Sequence, residues 1–292
     1  MAHVADKPVT KSGTWKLGDF TVHRLGYGAM RLTGRDAWGP PPDKDEAIRA
    51  VRHAIDLGVD FIDTADSYGP FISELLLKEA LYPYPANLVI ATKAGHTRPS
   101  PSEWVPVGRP EYIRQQCELS LRNLAVERID LFQIHRLDPH IPIADQIGTL
   151  RQLQKEGKVR AVGLSNATLE DIEQATALIT LVSIQLRYSV ANRKNENVLK
   201  YCENKGLAFI PWAPMNAGDL ASVEGPLKVI ATQVGGSPAQ VALAWLLQRS
   251  RVILPIPGSA SVLHVEENCN AAGIRLSEDQ MARIDQFAPP PG

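Results

Sequence analysis

Four side chains suited to moving protons stand at or just beyond the ends of three successive apolar runs: Asp63 and Tyr68 after residues 59–63, Lys93 after 88–93, and His135 after 129–135. A carboxylate beside a loop phenol is a plausible start for acid/base chemistry, because a proton donor must lie within bonding reach of the group it serves. Singly, each residue has a plainer role. Asp63 can cap a turn, and Tyr68 can be a half-buried aromatic with a wet hydroxyl. Lys93 can be a solvated charge or an ion-pair partner of Asp63, and His135 a hydrogen-bonded structural histidine. Their convergence depends on the fold that carries them.

The elements that must do this alternate along the chain. The runs Trp15-Lys16-Leu17 and 20–25 flank Gly18-Asp19, which predicts a hairpin. Strands are then predicted at 25–30, 59–63, 88–93, 129–135, 159–164, 181–185, 207–212 and 252–255. Helices are predicted at 46–57, 72–81, 110–124, 143–156, 169–178, 197–204, 227–234, 238–248 and 262–272, the first opened by a capping box of Asp43 and Glu46. Alternation with apolar strands implies a parallel sheet covered by helices. Eight units in 292 residues predict an α/β fold, a single (β/α)8 TIM barrel with the hairpin at its amino-terminal face. The barrel is expected to span 1–292, with 1–12 as a flexible tail. A doubly wound open sheet is the runner-up, but the first strand–helix junction lacks the Gly-x-Gly-x-x-Gly fingerprint. In a barrel the carboxyl ends of the strands face one site, and there the four residues meet.

Composition narrows the function classes. A formal net charge of -1 argues against nonspecific nucleic-acid binding. Cys117, Cys202 and Cys269 lie far apart without metal-ligand spacing, and an odd count favours a reducing compartment. No apolar stretch is long enough to span a bilayer, and the polar start lacks a targeting core. A soluble cytoplasmic protein acting on a small molecule, with no metal, nucleic-acid or membrane partner, is the expectation.

The motifs Phe61-Ile62-Asp63-Thr64-Ala65 with Tyr68-Gly69, Ala91-Thr92-Lys93, Gln133-Ile134-His135, Gly163-Leu164-Ser165-Asn166, and Ile256-Pro257-Gly258-Ser259 followed by Glu266-Glu267-Asn268 resemble the aldo-keto reductase family over nearly the whole chain. The resemblance implies an NADPH-dependent carbonyl reductase, with NADH as a further donor. Tyr68 would be the general acid, sharpened by Lys93, which Asp63 holds; His135 would orient the carbonyl. Ser165, Asn166 and Gln185 would meet the nicotinamide carboxamide, with Trp212 stacked on the ring. Gly28, Ala29 and Met30 would form the first-strand cofactor contact, and Ala213, Pro214, Met215 and Asn216 the pyrophosphate loop. Pro257, Gly258, Ser259, His264, Glu267 and Asn268 would map onto the adenosine phosphate and adenine site.

Two departures stand out. Many family members carry lysine and arginine where this chain has Gly258 and His264, so the 2′-phosphate clamp is expected from Ser259, the following helix amino-terminus and His264. The chain also stops at Gly292, which predicts a pocket open on that side, walled by Trp38, Phe71, Trp104 and Arg136 and suited to flat or aromatic aldehydes. The runs Gly26-Tyr27-Gly28-Ala29-Met30-Arg31-Leu32, Trp38-Gly39-Pro40-Pro41 and Asp66-Ser67-Tyr68-Gly69-Pro70 resemble a bacterial branch that includes pyridoxal reductases. Two other readings stay open: a cofactor-binding, redox-sensing regulatory subunit with little turnover, and a sugar or polyol dehydrogenase running in the oxidative direction.

Overall fold

The computed structural model describes residues 7–216 and 225–287, without the side chain of Phe287. An antiparallel hairpin of β1 (Thr14–Leu17) and β2 (Phe20–His23) turns at Gly18, whose left-handed φ of 65° costs glycine no steric strain. Next come β3 (Tyr27–Gly28), β4 (Phe61–Asp63) and β5 (Val89–Ala94). A two-stranded ribbon of β6 (His96–Thr97) and β7 (Val105–Pro106) decorates the following loop. After it lie β8 (Ile129–Ile134), β9 (Val159–Ser165), β10 (Ser183–Arg187) and β11 (Ala208–Trp212). Strands β3, β4, β5, β8, β9, β10 and β11 are neighbours in that order in one parallel sheet.

Parallel neighbours require crossover connections, and these are helices. They are α1 (Lys44–Asp56), α2 (Ile72–Leu81), α3 (Pro110–Leu124), α4 (Ile143–Lys155), α5 (Leu169–Thr176) and α6 (Glu196–Lys205), then α7 (Pro226–Val234), α8 (Pro238–Arg249), α9 (Val262–Asn270) and α10 (Glu278–Phe287). Thr168 with Asp171 and Ser237 with Gln240 form complete capping boxes opening α5 and α8. The box expected at Asp43 is only half made. Asp43 accepts the Glu46 N–H at 2.8 Å, but the Glu46 carboxylate turns instead to the Val262 N–H and Arg49.

The eighth strand expected at 252–255 is an extended run rather than a regular strand, because Pro255 and Pro257 have no N–H to give a ladder. It still closes the ring. Phe209 N–H donates to Val252 and Leu254 N–H to Phe209, at 2.8 and 2.9 Å; Gly26 and Gly28 N–H donate to Pro255 and Pro257, at 3.0 and 3.2 Å. Residues 7–12, expected in a flexible tail, also differ. Pro8–Ser12 form a 3-10 helix with Val9 and Ser12 buried, and the Arg24 guanidinium bonds the Ser12 carbonyl there.

Side chains alternate across each strand, which divides the core. Phe61, Val89, Ala91, Leu131, Ala161, Ile210 and Leu254 fill the barrel interior, and Leu17 and Val22 of the hairpin stopper its floor. Ile62, Ile90, Phe132, Val162 and Ile184 point outward into the helix layer. The inward parity then decides the upper end: Asp63, Lys93, Gln133, Ser165 and Gln185 follow Phe61, Ala91, Leu131, Gly163 and Ser183 onto the interior face. Among the described residues, no helix is long and apolar enough to cross a membrane.

Candidate active site

At the carboxyl ends of the strands, Lys93 Nζ lies 2.5 Å from Asp63 Oδ1 and donates also to the Thr64 carbonyl at 2.8 Å. Its third neighbour is the Tyr68 hydroxyl, at 3.4 Å. The other Asp63 oxygen accepts from Gln185 Nε2 at 2.8 Å and from Gln133 Nε2 at 3.2 Å. One carboxylate thus gathers side chains from β5, β8 and β10. Lys93 and Asp63 are 0% and 2% exposed, so this is a desolvated pair whose bonding needs are met on both sides. Burial opposes the Lys93 charge, but Asp63 and Tyr68 outweigh it and raise its pKa.

Tyr68 sits on a turn that bends sharply at Gly69 (φ 104°), where a Cβ would lie 2.4 Å from the Cβ of Ile72. The phenol is buried, and burial raises its pKa above the usual tyrosine value; Lys93 opposes this and Asp63 adds to it. The expected sharpening by Lys93 is therefore outweighed. The hydroxyl is a firmly protonated donor, and the 3.4 Å separation shows that Lys93 spends its shorter bonds on Asp63 and Thr64.

His135 stands edge-on to Tyr68, ring centroids 5.7 Å apart, with its Nδ1 3.1 Å from Ser67 Oγ. Burial, and next the charge of Lys93, hold its pKa well below the usual histidine value, so the ring is neutral. His96 packs against it at 4.5 Å and is pushed down to about 4, by burial first and then by Arg136 and Arg98. Asp63, Tyr68, Lys93 and His135 are therefore together. Gln133, Ser67, His96 and Arg98 join them, and inward strand parity alone would have found Gln133.

The nicotinamide-side candidates form a second group. Asn166 takes a left-handed φ of 52° and donates to the His135 carbonyl and Ser165 Oγ, at 3.0 and 3.1 Å. Its Oδ1 accepts from Trp212 Nε1 at 3.2 Å. Gln185 is engaged by Asp63, as described. Ala213 and Asn216 also have left-handed φ, and Asn216 Oδ1 accepts from Arg187 at 2.7 Å; Arg187 lies 5.6 Å above the Trp212 ring. The half-buried indole of Trp212 and the flanking turn at 213–216 form a shelf of the kind a planar ring requires.

A groove of about 970 Å³ runs from the first loop to the start of α9, lined in part by Met30, Arg31, Arg35, Glu46, Trp104, Gly258, Ser259 and His264. Glu267 and Asn268 lie further along α9, and neither is among the residues lining this groove. The groove's charged lining is mixed, with Arg31 and Arg35 able to meet a phosphate and Asp36, Asp43 and Glu46 opposing one. Gly258 in its lining and Gly28 behind it allow β3 and the extended run that closes the ring to approach closely. A Cβ at Gly28 would lie 2.6 Å from the Ile256 carbonyl, and one at Gly258 only 2.2 Å from the Gly28 carbonyl. Any side chain at 258 therefore requires the backbone there to shift. Gly258→Lys is expected to cost about 1–3 kcal/mol of stability through overpacking and to weaken cofactor binding; thermal unfolding and cofactor titration measure both.

The amino-terminus of α9, expected to help clamp a 2′-phosphate, is already engaged. Val262 N–H donates to Glu46 Oε1 at 3.0 Å, and that bond, with Arg49, holds the Glu46 carboxyl below the usual carboxylate range. An ionised carboxylate there competes with a phosphate for the same donor. Replacing Glu46 by Gln is therefore expected to raise the NADPH-to-NADH ratio of kcat/KM several-fold. An unchanged or lowered ratio would show that Glu46 is not opposing the phosphate.

The profile of the Aldo/keto reductase family matches residues 24–289. An uncharacterized oxidoreductase of Schizosaccharomyces pombe is 49% identical over 277 residues, covering 95% of this chain and 90% of that protein. The pyridoxine 4-dehydrogenase of Escherichia coli is 38% identical over 280 residues, covering 94% of this chain and 98% of that enzyme. Among solved structures, an aldo-keto reductase from Klebsiella pneumoniae in complex with NADPH superposes with a TM-score of 0.81 at 27% identity, covering 95% of each chain.

Proposed function

The chain belongs to the aldo/keto reductase family, and on that premise we propose that it is an NADPH-dependent reductase of small aldehydes and ketones in which Tyr68 is the general acid. The observation that supports this most is the buried Asp63–Lys93 pair facing the Tyr68 hydroxyl at 3.4 Å, with His135 alongside. An ordinary stabilising ion pair needs no phenol at its open end.

When bound, NADPH supplies the hydride. The protein's own part is to hold the carbonyl and deliver a proton to its oxygen. Tyr68, protonated across the neutral range, donates as negative charge develops there. The Lys93 ammonium, fixed by Asp63 and Thr64, stabilises the phenolate left behind through a site where charges interact strongly for want of water. Neutral His135 contributes a second hydrogen bond. In the tautomer whose Nδ1 accepts from the Ser67 hydroxyl, the ring's single proton sits on Nε2 and can be donated to the same oxygen. Proton and hydride together convert the carbonyl into an alcohol, so no metal or covalent intermediate is needed.

Trp212, Asn166 and Ser165 would seat the nicotinamide end, with Gln185 fixed beside them by Asp63; Ala213–Asn216 would take the pyrophosphate. Arg31 and Arg35 are the arginines of the groove that would hold the adenosine end, together with Ser259 and His264. NADPH is the expected donor and NADH a weaker one. Aromatic walls beside Tyr68 favour flat aldehydes, and the relative named for pyridoxine makes pyridoxal the first substrate to test. The same relative's name describes alcohol oxidation, so pyridoxine with NADP belongs in the same experiment. The measurement is absorbance of the reduced cofactor at steady state, with pyridoxal, aromatic and short aldehydes, ketones, sugars and polyols. Turnover in either direction supports the reading. Tight NADPH binding without turnover on any of them would point instead to a regulatory cofactor-binding protein.

A further inference from the structure

Arg98 is buried at 8% exposure between three loops around Tyr68. Its guanidinium has five N–H donors, and backbone carbonyls take all five. Nε donates to Glu103 at 3.1 Å; Nη1 to Ala37 and Ser67 at 3.2 and 3.1 Å; Nη2 to Asp36 and Pro101 at 3.0 and 2.8 Å. These carbonyls belong to the loop after β3, the Tyr68 turn after β4, and the loop between β6 and β7. The planar cation also lies 3.6 Å from the ring centroid of Trp104 and 5.5 Å from that of Trp38. Trp104 in turn stands edge-on to Tyr68 at 6.4 Å and to His135 at 6.0 Å, although 36% of it is exposed.

We infer that Arg98 is a positioning residue that sets which carbonyl compounds the pocket accepts, by pinning the Trp38 and Trp104 loops to the turn bearing Tyr68. This rests on the carbonyl-reductase reading of the same site. With every donor occupied, Arg98 has none left for a substrate, so it does not recognise an anionic group directly. Its carbonyl bonds fix the loops, and its face holds Trp104 by cation–π attraction. The indole would otherwise hang on a Pro- and Ser-rich segment, half in water. A rigid aromatic wall favours flat ring substrates over short aliphatic ones, because ordering is done before binding. Lysine cannot replace Arg98, since it offers three donors on a point charge with no plane to stack.

The test uses the full-length protein with NADPH, an aromatic aldehyde and a short aliphatic aldehyde. In Arg98→Met, KM for the aromatic aldehyde is expected to rise about 10- to 100-fold. KM for the aliphatic one should rise far less, so that the ratio between the two substrates changes, and the Kd for NADPH should stay close to wild type. Arg98→Lys should behave like Arg98→Met, and millimolar guanidinium ion should restore part of the aromatic preference to Arg98→Met. Trp104→Ala leaves the five carbonyl bonds in place and should lose the same preference, so it decides the matter even where Arg98→Met folds poorly. Equal shifts for both aldehydes, or unchanged selectivity in Trp104→Ala, would overturn the inference. Wild-type protein that reduces no carbonyl at all would instead remove the functional reading on which it rests.

Discussion

Tyr68→Phe is expected to lower kcat/KM for aldehyde reduction by about 10²- to 10⁴-fold, the usual worth of a positioned general acid, or roughly 3–5 kcal/mol of transition-state stabilisation. The change removes one oxygen from a buried site and leaves the ring in place against His135 and Trp104. Trp212 lies across the barrel on β11, so the Kd for NADPH, followed by quenching of tryptophan fluorescence, should scarcely move. The pH dependence of wild type provides an independent check. Burial raises the Tyr68 pKa, so the acid form persists through the neutral range, and the reduction rate should fall only on the alkaline side of free tyrosine's value of about 10. His135 is held neutral well below its usual value, so no step in rate is expected around pH 6–7. Near-normal turnover in Tyr68→Phe would remove Tyr68 from the chemistry.

The second large effect concerns the Asp63–Lys93 pair, where catalysis and stability separate. Lys93→Met leaves a carboxylate buried with only two amide donors, and Asp63→Asn leaves a buried ammonium without its counter-charge. Breaking one side of such a pair typically costs about 3–5 kcal/mol. The double variant Asp63→Asn, Lys93→Met removes both charges and should recover much of that stability, since neutral replacements of a buried pair are often tolerated. Activity should not recover with it, because Tyr68 then lacks the cation that stabilises its conjugate base. Thermal unfolding of the three variants beside their kcat gives the comparison. A stable but still active double variant would make the pair structural only.

Helices 72–81 and 110–124 are legible to the residue. Apolar spacing identifies both, with the Tyr68-Gly69-Pro70 turn before the first and Pro110 in the opening turn of the second. The carboxyl ends of the strands at Asp63 and Trp212 are legible as well, and so is the meeting of Asp63, Lys93 and His135, because a barrel turns sequence order into spatial order. What escaped has common causes. Gln133 stands two places before His135, inside its strand, where only the alternation of faces marks it as inward. The hydrogen bonds of Arg98 all go to main-chain oxygens, which every residue possesses and no motif records. The eighth strand failed as a regular element because its prolines supply acceptors but no donors. Lys93 does pull the Tyr68 pKa down, but the larger upward push of burial is a property of the packed loops and has no motif. The spacing of Asp43 and Glu46 predicts a full capping box, but the Glu46 carboxylate reaches α9, 216 residues away in the chain.

Leu17 and Val22 fill the lower end of the barrel with side chains, and that has a bearing on traffic through the molecule. A vessel with a sealed base is served only from above. Any ligand reaching Lys93 and Tyr68 would come and go on the side where Trp104 stands.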